Sequence, residues 1–234
     1  MSVNQPALRS EGAAVTAIVP VIDEEATIAM VVSDVARAVA ADVIVVDGGS
    51  ADGTAAAARS AGARVIEEPA RGYGRACLAG AAAADGADVL LFIDGDGADV
   101  ADQAPLLVDP VLEGRFDLML GARARRRSEP GALALHQAVG NRVVARVLSA
   151  RFGIRLTDVG PFRAIRSDVL AALAMREMTY GWPTEMIRNA ARLGYRINEV
   201  PVAYRCRQAG ASKVSGNPIA STRAGWHMLR VAIG

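Results

Sequence analysis

The chain has 234 residues, 52% of them hydrophobic and 22% charged, which excludes a disordered chain and suits one generous α/β domain with its own core. A formal net charge of +1 removes the electrostatic case for a nucleic-acid partner. The two cysteines, Cys77 and Cys206, form no CxxC or Cys/His cluster, which excludes zinc and a disulfide framework and fits a reducing, cytoplasmic setting.

Residues 1–14 read as a polar, flexible segment without the apolar run of a signal peptide. Val15–Val21 is a short apolar run and predicts a buried strand. Residues 24–39 place Ile28, Val31, Val32, Val35 and Val39 on one helical face. Further strands are expected at Asp42–Asp47, Arg64–Glu67, 88–93 and 116–121, with helices at 54–61, 75–84 and 103–113. This alternation predicts a mostly parallel sheet flanked by helices.

The second half opens with an arginine-rich loop at 123–131. A long helix over 133–152 follows, with Leu135, Val139, Val143, Val147 and Leu148 expected inward. A strand at 162–165, a helix at 167–174 capped by Ser167, a helix at 183–193 and a strand at 195–204 complete the pattern. No repeat or linker appears, so residues 15–216 are expected to form a single domain, with a C-terminal helix at 217–234. No stretch approaches the roughly 18 consecutive apolar residues that a spanning helix needs. The tail, with Trp226, Met228 and Leu229 beside Arg223 and Arg230, fits a core or dimer helix before a membrane-lying amphipathic one.

Three acidic, glycine-bearing loops follow the carboxyl ends of successive strands, where open α/β sheets bind ligands. They are Val19-Pro20-Val21-Ile22-Asp23-Glu24-Glu25, Asp47-Gly48-Gly49-Ser50-Ala51-Asp52-Gly53-Thr54, and Asp94-Gly95-Asp96-Gly97. Two carboxylates at i and i+2 after a buried strand repel each other, and a hard cation such as Mg2+ or Mn2+ resolves the repulsion. An acidic turn, and capping by Asp52 or Thr54, explain part of the pattern without a ligand.

Together these loops resemble family 2 glycosyltransferases of the dolichol-phosphate mannose synthase type, which have a GT-A fold. VPVIDEE is similar to VPxxNEE with Asp23 in place of Asn, and DGGSADGT is similar to DDGSxDGT with Gly48 in place of Asp. RGYGRACLAG and IDGDG match in order, then Leu120–Arg123, Asp158–Arg163, and Glu199–Val202 with Arg207, Ser212 and Lys213. The resemblance implies a metal-dependent, inverting hexosyltransferase that uses a nucleotide-sugar donor, a UDP- or GDP-sugar, with Mg2+ or Mn2+. It implies that Pro20, Val21 and Glu24 contact the nucleoside, that Asp47 reads the base, and that Asp94 and Asp96 hold the metal. Arg123, Arg207 and Lys213, the chain's single lysine, would face phosphates.

A phosphate acceptor such as polyprenyl phosphate needs no base, whereas a hydroxyl acceptor does. Asp158 is the first candidate for that base and Glu185 the second. A soluble small-molecule acceptor and a non-catalytic sugar-nucleotide-binding module are the alternatives. Ala98 stands where many polyprenyl-phosphate enzymes carry Gln. A homodimer and peripheral membrane contact are both compatible with the tail. His136 and His227 are expected to be structural, without evident partners.

Overall fold

The computed structural model describes residues 14–124, 127–207 and 218–234, with side chains of the last stretch described from residue 224. Seven strands form one sheet: β1 (Val15–Val21), β2 (Asp42–Asp47), β3 (Arg64–Glu67), β4 (Val89–Phe92), β5 (Leu118–Arg123), β6 (Arg163–Arg166) and β7 (Ile197–Val202). Their order is β3-β2-β1-β4-β6-β5-β7. β6 alone runs antiparallel, paired with β4 on one side and β5 on the other. Every other strand therefore ends at the same edge of the sheet. The chain reverses direction of growth between β1 and β4, which opens the crevice where such sheets bind ligands.

Alternation along the strands fills two cores. Ala17, Val19 and Val21 of β1 and Val89 and Leu91 of β4 face helix α1 (Glu25–Val39) and helix α4 (Pro105–Leu112). Ile18, Leu90 and Phe92 face the other side. There they meet α3 (Tyr73–Ala82), α5 (Leu135–Phe152) and α7 (Trp182–Arg192). Strand β6 feeds directly into the short α6 (Ser167–Ala172), and α2 (Thr54–Ser60) crosses from β2 to β3. The C-terminal α8 (Pro218–Ile233) packs on α5 and α7.

Most elements lie within one or two residues of their predicted bounds, and three differences have clear causes. The helix predicted over 103–113 is a 3-10 turn at Ala101–Gln103 followed by α4, because Pro105 has no N–H to continue the first helix and starts a second. Ser167 does not cap α6; it lies inside the first turn and its hydroxyl is buried with no partner among the described residues. In α5 the inward residues are Val144, Ala145 and Leu148. Leu135, Val139 and Val143 are 68%, 55% and 44% exposed. The helix carries two apolar stripes, and only the one in its second half reaches the sheet.

Asp117, just before β5, ties three strands together. Its carboxylate accepts hydrogen bonds from the Arg196 backbone N–H at 2.8 Å, from Arg196 Nη2 at 2.8 Å and from Arg166 Nη1 at 3.3 Å. These bonds hold its carboxyl below the usual range, with the Arg196 side chain the largest cause. Asp117→Asn keeps the shape but loses the charge-assisted pairing, and we expect a loss of about 2 kcal/mol in denaturant unfolding. An unchanged midpoint would show that this end of the sheet is held by other contacts.

Candidate active site

The acidic loops are fastened to one another before they face any ligand. Asp23 takes a left-handed conformation, φ 49°, which Asp and Asn tolerate better than most residues. Its Oδ1 accepts the Ala51 amide at 2.7 Å, and its own amide donates to Ser50 Oγ at 2.9 Å. The Glu24 amide donates to Thr54 Oγ1 at 2.8 Å, and Glu25 Oε2 accepts the Gly53 amide at 3.1 Å. A Cβ at position 48 would lie 2.7 Å from Ile22 Cγ1, so a larger residue there would have to displace the Ile22 side chain.

Behind them lies a cavity of about 1430 Å³ at the carboxyl edge of the sheet. Pro20, Val21, Glu24, Asp94, Asp96, Arg123 and Arg207 all line it. The central contacts form a chain: Glu24 Oε1 meets Arg207 Nη1 at 3.0 Å, and Arg207 Nε meets Asp96 Oδ2 at 2.9 Å. The other Asp96 oxygen accepts the Ala98 amide at 2.9 Å. The Arg205 amide donates to the Ala98 carbonyl at 2.8 Å, so the segment after β7 is pinned to the Asp94–Ala98 loop.

Carboxylates crowd one another here. Burial, and then repulsion from Asp96, push the Asp94 carboxyl up to about 7, although Arg207 and Arg123 oppose this. Asp94 Oδ1 is buried and has no hydrogen-bond partner among the described residues. Asp99, isolated from solvent next to Tyr204, is raised well above the carboxylate range by burial and by Asp94 and Asp96; neither of its oxygens has a partner there. An orphaned, buried carboxylate oxygen beside a second carboxylate is a donor set that suits a hard divalent cation. Among the described residues no group of three or more His, Cys, Asp or Glu has the geometry to hold a metal ion. The protein therefore offers two carboxylates, and water and substrate oxygens would complete the shell.

Three expected site residues stand elsewhere or do other work. Asp47 lies behind Gly48, 6% exposed, and its Oδ1 closes a turn by accepting the Ser50 amide and hydroxyl at 2.8 and 2.6 Å. Asp158, the first candidate base, is forked onto Arg123. Its oxygens accept Arg123 Nε at 2.7 Å, Arg123 Nη2 at 2.9 Å and the Val159 amide at 2.8 Å. Burial alone would raise its pKa, but the Arg123 charge and these bonds hold it below the usual range. Glu185, the second candidate, lies away from the cavity. Its Oε2 accepts the Arg176 and Glu177 amides at 3.0 and 2.7 Å, so it holds the loop before α7. Lys213 lies outside the described residues.

Other residues were not legible as partners. Tyr204 supports the Arg123 guanidinium, which sits 5.4 Å from the ring centroid. His227, expected to be without a partner, meets Glu177 Oε2 at 2.8 Å. Trp182 is fully buried and edge-on to Phe92 at 4.8 Å, so it packs and stacks on no ligand. Arg163 is also fully buried; its guanidinium donates to the carbonyls of Pro183, Gly160 and Pro161, and burial lowers its pKa to about 10.

A family model described as Glycosyl transferase family 2 matches residues 16–173. The chain belongs to that family. It is 36% identical over 210 residues to an uncharacterized glycosyltransferase of Mycobacterium tuberculosis, covering 88% of this chain and 92% of the relative. It is 31% identical over 246 residues to the undecaprenyl-phosphate mannosyltransferase of Micrococcus luteus, covering 94% and 99%. Among solved structures, glucosyl-3-phosphoglycerate synthase from Mycobacterium tuberculosis in complex with Mn2+, UDP-glucose and phosphoglyceric acid aligns with a TM-score of 0.74 at 25% identity, over 94% of this chain and 80% of that one. The sheet described above is thus that of a GT-A glycosyltransferase.

The Asp158–Arg123 fork is a buried ion pair, and removing one partner leaves the other charge stranded. Asp158→Ala is expected to cost about 3 kcal/mol of stability by denaturant unfolding. Because the folded pKa is depressed, the pair's contribution is present above the unfolded value near 4 and disappears as pH falls through the lower folded value. Stability of the wild type should therefore fall below about pH 4 more steeply than that of Asp158→Asn. Parallel pH curves would contradict this assignment.

Proposed function

We propose that this glycosyltransferase moves a sugar from a nucleotide-diphosphate-sugar, a UDP- or GDP-sugar, to a phosphate-bearing acceptor of the polyprenyl phosphate type, with inversion at the anomeric carbon. The observation that carries the acceptor is the make-up of the cavity wall. It combines the charged Asp94, Asp96, Arg123 and Arg207 with the apolar or aromatic Leu135, Val139, Val143, Tyr180 and Trp226, all five of them exposed. A ligand that is anionic at its head and hydrocarbon behind it matches both sets.

In this reading Pro20, Val21 and Glu24 line the nucleoside side of the crevice, and Asp94 and Asp96 hold Mg2+ or Mn2+. A cation held there would supply positive charge to the leaving diphosphate. Arg207 exchanges Asp96 for a donor phosphate oxygen, and Arg123 is a fixed cation whose orientation comes from Asp158 and Tyr204. The acceptor oxygen attacks from the face opposite the leaving group. An acceptor phosphate is already an anion, which agrees with the full engagement of Asp158 and Glu185, the two carboxylates considered as bases. The Micrococcus relative, named for an undecaprenyl-phosphate acceptor, supports the same class.

The second reading is a soluble phosphorylated acceptor, favoured by the fold's likeness to a structure that holds phosphoglyceric acid. The first reading requires peripheral contact with a membrane, and the second does not.

The test is a transfer assay with radiolabelled UDP- and GDP-sugars and Mn2+, offering undecaprenyl phosphate in detergent or 3-phosphoglycerate. The expected product is a lipid-linked sugar, with kcat/KM lowered about 100-fold or more in Asp96→Ala. Transfer to phosphoglycerate alone would favour the second reading. Nucleotide binding without transfer to either would point to a non-catalytic module.

A further inference from the structure

Helices α5 and α8 contain 18 and 16 residues and not one Asp or Glu, in a chain with 25 acidic residues among 234. They pack against each other at the surface. Together they carry Arg142, Arg146, Arg151, Arg223 and Arg230, and the side chains of Arg142, Arg146, Arg151 and Arg230 are exposed.

Large apolar side chains share this surface. Leu135, Val139 and Val143 follow one another at four-residue spacing on α5, so they form one stripe. Trp226 and Ile233 stand seven residues apart on one side of α8 and are 65% and 54% exposed. Apolar stripes with arginines beside them and no acids are what distinguishes a helix seated in a lipid headgroup layer from one that packs in a protein core. The stripe also continues into the cavity, whose wall includes Val139, Val143 and Trp226. Among the described residues, no helix is long and apolar enough to cross a membrane.

We propose that the paired α5–α8 face is a docking surface for an anionic lipid bilayer, with Leu135, Val139, Val143, Trp226 and Ile233 entering the headgroup layer and Arg142, Arg146 and Arg230 meeting lipid phosphates. The charge pattern selects this occupant over a second copy of the chain, because two such faces would bring arginines against arginines with no acid on either side. The proposal extends the lipid-phosphate reading above, yet it does not need it: a bilayer-bound chain can act on a soluble acceptor.

The test is co-sedimentation of the full chain with vesicles of phosphatidylcholine alone or with about 30% phosphatidylglycerol. Binding to the anionic vesicles should exceed binding to the neutral ones by about tenfold, and should weaken in about 0.5 M salt. The triple variant Arg142→Ser/Arg146→Ser/Arg230→Ser should lose that preference. Val139→Asp/Trp226→Asp should lose vesicle binding altogether, and both should melt like the wild type because the substituted residues are exposed. Wild type that ignores anionic vesicles would overturn the proposal. So would light scattering that finds a dimer which Val139→Asp/Trp226→Asp turns into monomer, since the face would then be an interface between copies. Failure of the transfer assay with intact vesicle binding would sink the acceptor reading alone.

Discussion

The site depends on one constraint, the concentration of carboxylates at the carboxyl edge of a parallel sheet, where the arginines nearest Asp94 and Asp96 among the described residues are already paired. Asp94, Asp96 and Asp99 lie within six residues on one loop, and Glu24 faces them from the neighbouring strand end. Arg207 is shared between Glu24 and Asp96, while Arg123 is already committed to Asp158. Burial and mutual repulsion push the Asp94 carboxyl up to about 7 and raise that of Asp99 well above the carboxylate range. In the proposed reading, these crowded carboxylates would receive a cation arriving with a ligand, as an electrostatically preorganised centre does.

The rest of the molecule keeps that charge in place. The first and second loops are cross-bonded by backbone amides donating to the side chains of Asp23, Ser50 and Glu25, so they hold each other in place. On the opposite side the Asp158–Arg123 fork and the Tyr204 ring fix a guanidinium that would otherwise be costly to bury. Glu185 performs a similar service one layer out by holding amides 176 and 177, whose loop meets α8 through Glu177 and His227.

Much of this could be read from the sequence because its cause is local. Strand runs such as DVIVVD, the alternation of strand and helix, and the position of the acidic loops at strand ends all follow from periodicity and turn chemistry. What escaped was decided by tertiary contact. The apolar spacing of α5 was correct for a helix but could not say which of two stripes met the sheet, and Leu135, Val139 and Val143 turned outward. Asp158 and Glu185 stood in suggestive segments, yet their partners are 35 residues away at Arg123 and in a loop before α7, and no spacing rule reports such pairings. The acidic pair stands in a local motif, whereas the Arg207 bridge from Asp96 to Glu24 joins residues far apart in the chain.

The most direct measurement is calorimetric titration of UDP and of GDP into the protein, each with Mn2+ and with a chelator. The account predicts that one diphosphate binds at least about tenfold more tightly with Mn2+ present, and that Asp94→Asn removes most of this difference while leaving the fold intact. Equal affinity with and without the cation would contradict the claim that the acidic pair is a metal-assisted diphosphate site. No binding of either diphosphate would contradict the donor site itself.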